Sequence, residues 1–276
     1  MLKPLLIDRC KILFDNVHVD GVVGASLNVS NPSFNAQHSS NSVFFRDKNG
    51  VDDPSMSITK ICSVSDFADT IKEKVIDGDF FDIDIVSEQH DDTRVGISLG
   101  ECFSSSFGVS VSNNDFVSLS FDVSSDAASP LLSSGNLPII SSDEEYLTSD
   151  NVTFECSNPN LEYVESFSLQ ASMNKVYLKG LIRNKKKTWS ARKEINLSFQ
   201  VDHIQKYVDQ DPASFATTDF LIKFFSDESK TGVIGEFSLS GCALDSYSEQ
   251  YSERGASATS FSYSYVEKDG ENSIII

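Results

Sequence analysis

The stretch Lys175–Lys193, reading KVYLKGLIRNKKKTWSARK, gathers the chain's positive charge in one place. Lys175, Lys179, Arg183, Lys185, Lys186, Lys187, Arg192 and Lys193 supply eight of the 22 basic residues, and no acid stands among them. Such a run can hold a polyanion or dock onto an acidic protein surface. Read as a solvated charge run, it would need no partner. Trp189 lies inside it, where an indole serves as a stacking platform, as an interface anchor or as a cover for the arm's own base. The rest of the chain is acidic, and 41 Asp and Glu bring the formal net charge to −19. A field of that sign repels nucleic acid and anionic membranes. It argues against a sequence-reading or strand-coating nucleic-acid binder. Docking onto another copy of the chain is therefore the expected use of the arm. An acidic wall around a passage is a separate case, because weak repulsion keeps a passing polyanion from sticking.

Other side chains offer less. Cys10, Cys62, Cys102, Cys156 and Cys242 are scattered and form no CxxC pair, so reduced core thiols are expected. His18, His38, His90 and His203 are equally isolated, and no spacing supports zinc. Asp47, Asp52 and Asp53 lie near one another but lack the Asp-x-Asp-x-Asp-Gly order and closing Glu of a calcium loop. The chain has no Gly-x-Ser-x-Gly, no phosphate-binding glycine loop and no His-Glu-x-x-His. Most carboxylates alternate with apolar residues, as Asp82 and Asp84 do, or sit in turns, as Asp91 and Asp92 do. These read as solvated faces. No catalytic residue, metal ligand or cofactor site is expected, and the chain is not expected to be an enzyme. The opening MLKPLLIDRCKILF is broken by Asp8, Arg9 and Lys11 and does not read as a signal peptide. No apolar run approaches the length of about 18 residues that a membrane span needs. The Asn-X-Ser/Thr triplets at Asn28, Asn151 and Asn196 then read as chance matches.

The elements that must carry the arm are strands. Ile12 and Phe14 mark a first strand over Lys11–Val17, and Val23, Ala25, Leu27 and Val29 alternate along a second. Residues 31–54 form a long loop or projecting hairpin holding Phe44, Phe45 and Arg46. Met56 and Ile58 resume a strand. A helix follows, with Ser65 expected as its cap, Phe67, Ile71 and Val75 as its apolar stripe and Gly78 as its stop. Four strands come next: Phe81–Ile85, Val95–Leu99, Phe107–Val111 and Val117–Val123. Residues 127–147, rich in Ser and Pro, read as a linker.

The second half repeats this order at a spacing of about 140 positions. Val152 and Phe154 match Ile12 and Phe14, and Phe167, Leu169 and Ala171 match Ala25, Leu27 and Val29. The basic arm follows, then a strand from Ile195 to Val201 and a short helix after Asp202 carrying Ile204, Tyr207 and Val208. Phe220, Ile222 and Phe224 match Phe81, Ile83 and Ile85. The element Phe237-Ser238-Leu239-x-x-Cys242 matches Ile97-Ser98-Leu99-x-x-Cys102. Phe261, Tyr263 and Tyr265 match Leu119, Phe121 and Val123. The expected fold is therefore mainly β: two tandem β-sandwich or barrel domains, each with one inserted α-helix and one long arm. Residues 1–126 form the first domain, 127–147 the linker and 148–276 the second domain.

A β-sandwich with one helix after the third strand and a long loop before that strand resembles the tail tube proteins of long-tailed bacteriophages. The type VI secretion tube protein shares that fold. The phrases GASLNVSNPS and ESFSLQASMNK also resemble phage virion proteins. The resemblance implies a structural, non-enzymatic role. Subunits form rings around a hollow lumen, and rings stack into a conduit for DNA ejection. With a duplicated tube domain, three chains make a pseudo-six-fold ring. The partners it implies are further copies of the chain, a tape-measure protein, and tail terminator or baseplate proteins. DNA would pass without specific binding, and no membrane is involved. The protein would be made in the host cytoplasm and reside in the virion tail. By position, segments 31–54 and 172–194 would be the ring-stacking loops. An alternative is a β-sandwich binding module of a virion, either a decoration protein or a tail-tip protein that binds a receptor or glycan, with Trp189, Tyr247 and Tyr251 as binding candidates.

Overall fold

The computed structural model describes residues 10–28, 34–37, 44–47, 54–88, 93–125, 127–134, 145–158, 164–172, 175–179, 186–190, 194–202, 216–250, 258–266 and 273–276. The period-two alternation becomes a mainly β fold with antiparallel pairing throughout. The first half contains β1 (Cys10–Phe14), β2 (Val17–His18), β3 (Val22–Asn28), β4 (Phe34–Gln37), β5 (Phe44–Asp47) and β6 (Ser55–Ile61). Helix α1 (Val64–Asp66) runs straight into a wider π-helical segment, Phe67–Asp77. Then come β7 (Phe81–Glu88), β8 (Thr93–Ser112), β9 (Ser118–Ser124) and β10 (Ala127–Ser134). A 3-10 turn, Ser149–Asn151, opens the second half. It leads to β11 (Val152–Cys156), β12 (Val164–Ser172), β13 (Lys175–Lys179), β14 (Lys186–Ser190) and β15 (Glu194–Asp202). The chain closes with β16 (Thr217–Phe225), β17 (Val233–Gln250), β18 (Ala258–Val266) and β19 (Ile274–Ile275).

Two strands organise everything else. β8 runs for 20 residues and β17 for 18, and each passes from one layer to the other midway. The first part of β8 pairs with β7 and β10, and its last part with β9 and β12. β17 pairs first with β16 and then with β18. One layer is therefore a continuous eight-strand sheet, ordered β3-β6-β9-β8-β12-β15-β18-β17. The other layer holds β10-β8-β7-β1-β2 from the first half and β11-β16-β17-β19 from the second.

The core lies between the layers. Phe14 of β1 meets Phe121 of β9 with ring centroids 5.6 Å apart, and Phe220 of β16 meets Tyr263 of β18 at 5.0 Å. The helix of the first half crosses to the second: Phe67 packs on Phe224 at 4.9 Å. Its stripe Phe67, Ile71 and Val75 is buried as expected, and Gly78 ends it with φ 78. The glycine relieves the steric cost of that left-handed turn.

Several expectations need correction. The helix cap is Ser63, not Ser65: the Asp66 carboxylate accepts from both the Ser63 backbone N–H (2.7 Å) and its hydroxyl (2.9 Å). The strands expected at Val95–Leu99 and Phe107–Val111 are one continuous β8. The linker expected over 127–147 begins as β10, paired with Thr93–Gly100, and Leu147 is buried. β3 does not bury a full face: Val23 is 72% exposed. The second helix, expected around Ile204, Tyr207 and Val208, lies outside the described residues.

The strands of the two halves pair in the same pattern, and that pattern shifts three of the sequence matches by two residues. Ile83 and Leu99 pair in the first half as Phe220 and Leu239 do in the second. Phe14 pairs with Ile83 as Cys156 does with Phe220, so Phe14 corresponds to Cys156 rather than Phe154. Likewise Ile83 corresponds to Phe220 rather than Ile222, and Phe121 to Phe261 rather than Tyr263. A two-residue shift keeps the same face of a strand, so the inward set is unchanged.

Candidate assembly surface

Alternation along the eight-strand sheet sorts apolar residues inward and hydroxyls outward. Phe107, Val109, Leu119, Phe121, Leu169, Phe167, Phe261 and Tyr263 lie in the core. On the other face, Ser118, Ser110 and Ser168 of β9, β8 and β12, and Ser262 and Ser246 of β18 and β17, stand at opposed positions in one row whose register runs through Ser198 of β15. Beside them runs a second row, Ser112 and Ser166 with Ser260 and Ser248, whose register runs through Gln200 of β15. At about 4.8 Å between strands, the serine row spans roughly 24 Å. Asp122 interrupts the hydroxyls, accepting from Ser57 (2.5 Å) and Ser106 (3.1 Å), and Asp245 accepts from Ser264 at 2.9 Å. Among the described residues of this face there is no lysine or arginine: Lys60, on β6, points into the core at 3% exposure.

The face is held in place by a kink made the same way twice. Glu101 on β8 has φ 49 and Gly241 on β17 has φ 73. The Glu101 N–H donates to the Asp82 carboxylate (3.0 Å), and the Gly241 N–H to that of Asp219 (2.6 Å). One residue on, the Cys102 thiol donates to the Leu99 carbonyl and the Cys242 thiol to that of Leu239. At each kink the strand leaves the back layer and enters the front one. Bulges also recur at matching positions: Val22/Gly24 with Val164/Ser166, and Ser104/Ser106 with Leu244/Ser246. The alternation of Asp82 suggested only a solvated side chain. The shared Ser-Leu-x-x-Cys phrase was the sequence signal for the kink, because it brackets the turning residue in both halves.

Under the first half lies a buried ion pair. Lys60 Nζ and Asp66 Oδ1 are 2.8 Å apart, with side chains 3% and 5% exposed. Thr70 also donates to Asp66, which ties β6 to the helix start. Nearby, the Tyr146 hydroxyl donates to Asp20 (2.6 Å), and that bond holds the Asp20 carboxyl below its usual range. Burial pushes the Cys62 thiol up strongly, and the Cys102 and Cys242 thiols up to about 12. Cys62, Cys102, Cys156 and Cys242 are free thiols. Among the described residues no cluster of His, Cys, Asp and Glu could hold a metal. A cleft of about 250 Å³ at the junction of the halves is lined by Asn113, Ser149, Asp150, Glu165 and Ser166 among others, and includes no His, Lys or Cys.

Both arms are two-stranded hairpins. β4 pairs with β5 between β3 and β6, and β13 with β14 between β12 and β15. Phe44, Phe45 and Arg46 lie on β5. Lys175 and Lys179 lie on β13, and Lys186, Lys187 and Trp189 on β14. Lys179 stands directly opposite Lys186, and Val176 opposite Trp189. Arg183, Lys185, Arg192 and Lys193 lie outside the described residues, as do Asp52, Asp53 and Tyr251. Tyr247, on β17, is 48% exposed. No protein-family model and no curated protein matches this sequence.

Proposed function

We propose that the chain is a virion structural protein: a tail tube subunit that self-assembles into stacked rings forming a hollow conduit for DNA ejection. The observation that carries this reading is the serine-covered face of the eight-strand sheet, built from two repeated four-strand units in one chain. Small neutral hydroxyls hydrate well and offer a polyanion no cation to bind, so such a face suits the wall of a passage. The wet face and the dry core behind it leave the sheet edges and hairpins for contacts between copies. The partners of this role are further copies of the chain, a tape-measure protein and tail terminator or baseplate proteins. The place of action is the virion tail, and the role involves no catalysis.

Negative-stain electron microscopy of the concentrated protein tests the reading. Rings, or filaments with a stain-filled bore, are the expected result. A protein that stays monomeric at every concentration, with no rings in micrographs, overturns it.

A further inference from the structure

We propose that copies of this chain join edge to edge, β17 of one against β3 of the next, in the register that β8 and β12 already hold within the chain. The chain contains its own template for this contact. Its first unit, β3-β6-β9-β8, is joined to its second, β12-β15-β18-β17, by the antiparallel pairing of β8 with β12 over Ser106–Ser112 and Ser166–Ser172. β17 occupies in the second unit the place of β8, with the same kink and bulge. β3 occupies in the first unit the place of β12, again with the same bulge. Among the described residues β3 pairs only with β6, and the outer part of β17 only with β18. The two ends of the eight-strand sheet are thus the two strand types that meet at its centre.

The side chains agree. At the central junction Phe107 is 1% exposed and Leu169 fully buried. Their counterparts at the free ends are less covered: Tyr247 is 48% exposed although its ring stacks beside Phe261 at 6.5 Å, and Leu27 is half-buried. An open edge with uncovered apolar residues is an aggregation hazard unless a partner strand occupies it. Here the complementary strand is supplied by the other end of the same molecule. The contact is heterologous, so it repeats head to tail and closes into a ring where the rotation permits. The central pair Gly108–Gln170 sets the register: its counterparts, Ser248 and Asn28, face each other across the contact. This inference rests on the reading as a self-assembling subunit and adds the edges and register through which assembly occurs.

The test is disulfide crosslinking of the full chain under a mild oxidant, with micrographs of the same samples. The double variant Ser248→Cys/Asn28→Cys is expected to give a ladder of multimers on a non-reducing gel. Each single variant, and the off-register pair Ser248→Cys/Gly24→Cys, should give at least about ten-fold less. A side chain at Gly24 meets no atom within 4 Å, so that control is expected to fold. Hydrogen exchange gives a second measurement on the unsubstituted protein, with amides of residues 24–28 and 246–248 gaining protection on assembly. Rings in micrographs without in-register crosslinks or edge protection overturn this inference and leave the conduit reading standing. Crosslinked ladders that form only open aggregates support the edge contact and overturn the conduit reading. Equal crosslinking of the off-register pair overturns the inference.

Discussion

The backbone N–H of Gly241 donates to the Asp219 carboxylate at 2.6 Å, and this bond fixes a left-handed turn in the middle of a strand. At the matching turn the chain uses Glu101 with φ 49. A side chain in this conformation costs about 1–2 kcal/mol, and glycine returns part of that gain as chain entropy. Gly241→Ala should therefore lose about 0.5–1 kcal/mol, and Glu101→Gly should gain about as much. Urea midpoints at constant slope will show opposite signs at the two sites.

Lys60 and Asp66 form a buried pair, so removing one partner strands the other. Lys60→Met should cost about 3–5 kcal/mol. Adding Asp66→Leu should recover most of that loss. Recovery stays incomplete because Asp66 also accepts from the Ser63 backbone N–H, a cap interaction of about 1 kcal/mol. Chemical denaturation of the two single variants and the double variant measures both effects.

Gly235 carries no side chain because Phe67 occupies the space: a Cβ there would lie 2.4 Å from two ring carbons. Gly235→Ala should cost about 1–3 kcal/mol through overpacking. Phe67→Leu in the same chain should relieve part of the clash, giving a favourable coupling in a double-mutant cycle. Because Phe67 belongs to the first half and Gly235 to the second, that coupling measures the contact between halves.

Alkaline pH should destabilise the fold through its thiols. Cys102 and Cys242 are pushed by burial from an ordinary value of 9.0 to about 12. Below pH 9 the thiol is neutral in both states and its burial contributes fully. Between about 9 and 12 the unfolded chain releases the proton and the folded chain does not, so stability falls as pH rises. The Cys102→Ala/Cys242→Ala variant should show a shallower loss over that window. In the native protein at pH 8, alkylation of Cys62, Cys102 and Cys242 should be slow, becoming fast in denaturant.

Under the proposed function, the triple variant Lys185→Glu, Lys186→Glu, Lys187→Glu should fold normally and form shorter stacks. Raising salt from about 0.05 to 0.5 M should shorten the wild-type stacks as well, since the attraction is screened. Filament length in micrographs, with circular dichroism for folding, checks both.

Strand identity and the inward faces were legible because a period of two survives small errors of register. Pairing Phe14 with the wrong counterpart by two positions still placed an inward residue on an inward residue. The helix stripe at Phe67, Ile71 and Val75 was legible for the same reason, as a face set by spacing. The cap was not, because Ser63 and Ser65 look alike until Asp66 folds back onto one of them. β8 read as two strands because a left-handed residue at Glu101 interrupts the alternation while the backbone continues. The alternation of Val23, Ala25 and Leu27 announced a buried face that the single chain leaves largely open. Alternation records that a face is to be covered, and it does not say by which molecule. The buried pair of Lys60 and Asp66 gave no signal, since each alone reads as a surface charge.

The two hairpins sit at equivalent places in the repeat, yet only the one holding Lys179 and Lys186 is strongly basic. Around a ring of such chains the hairpins would alternate in charge like a keyed coupling. A ring of unmarked units could settle on its neighbour at any unit step. Alternating marks forbid every second step, because each basic hairpin would then face the surface meant for its neutral twin. The repeat would thus supply the geometry of a finer symmetry, and the charge difference would halve it and index the rotation from one ring to the next.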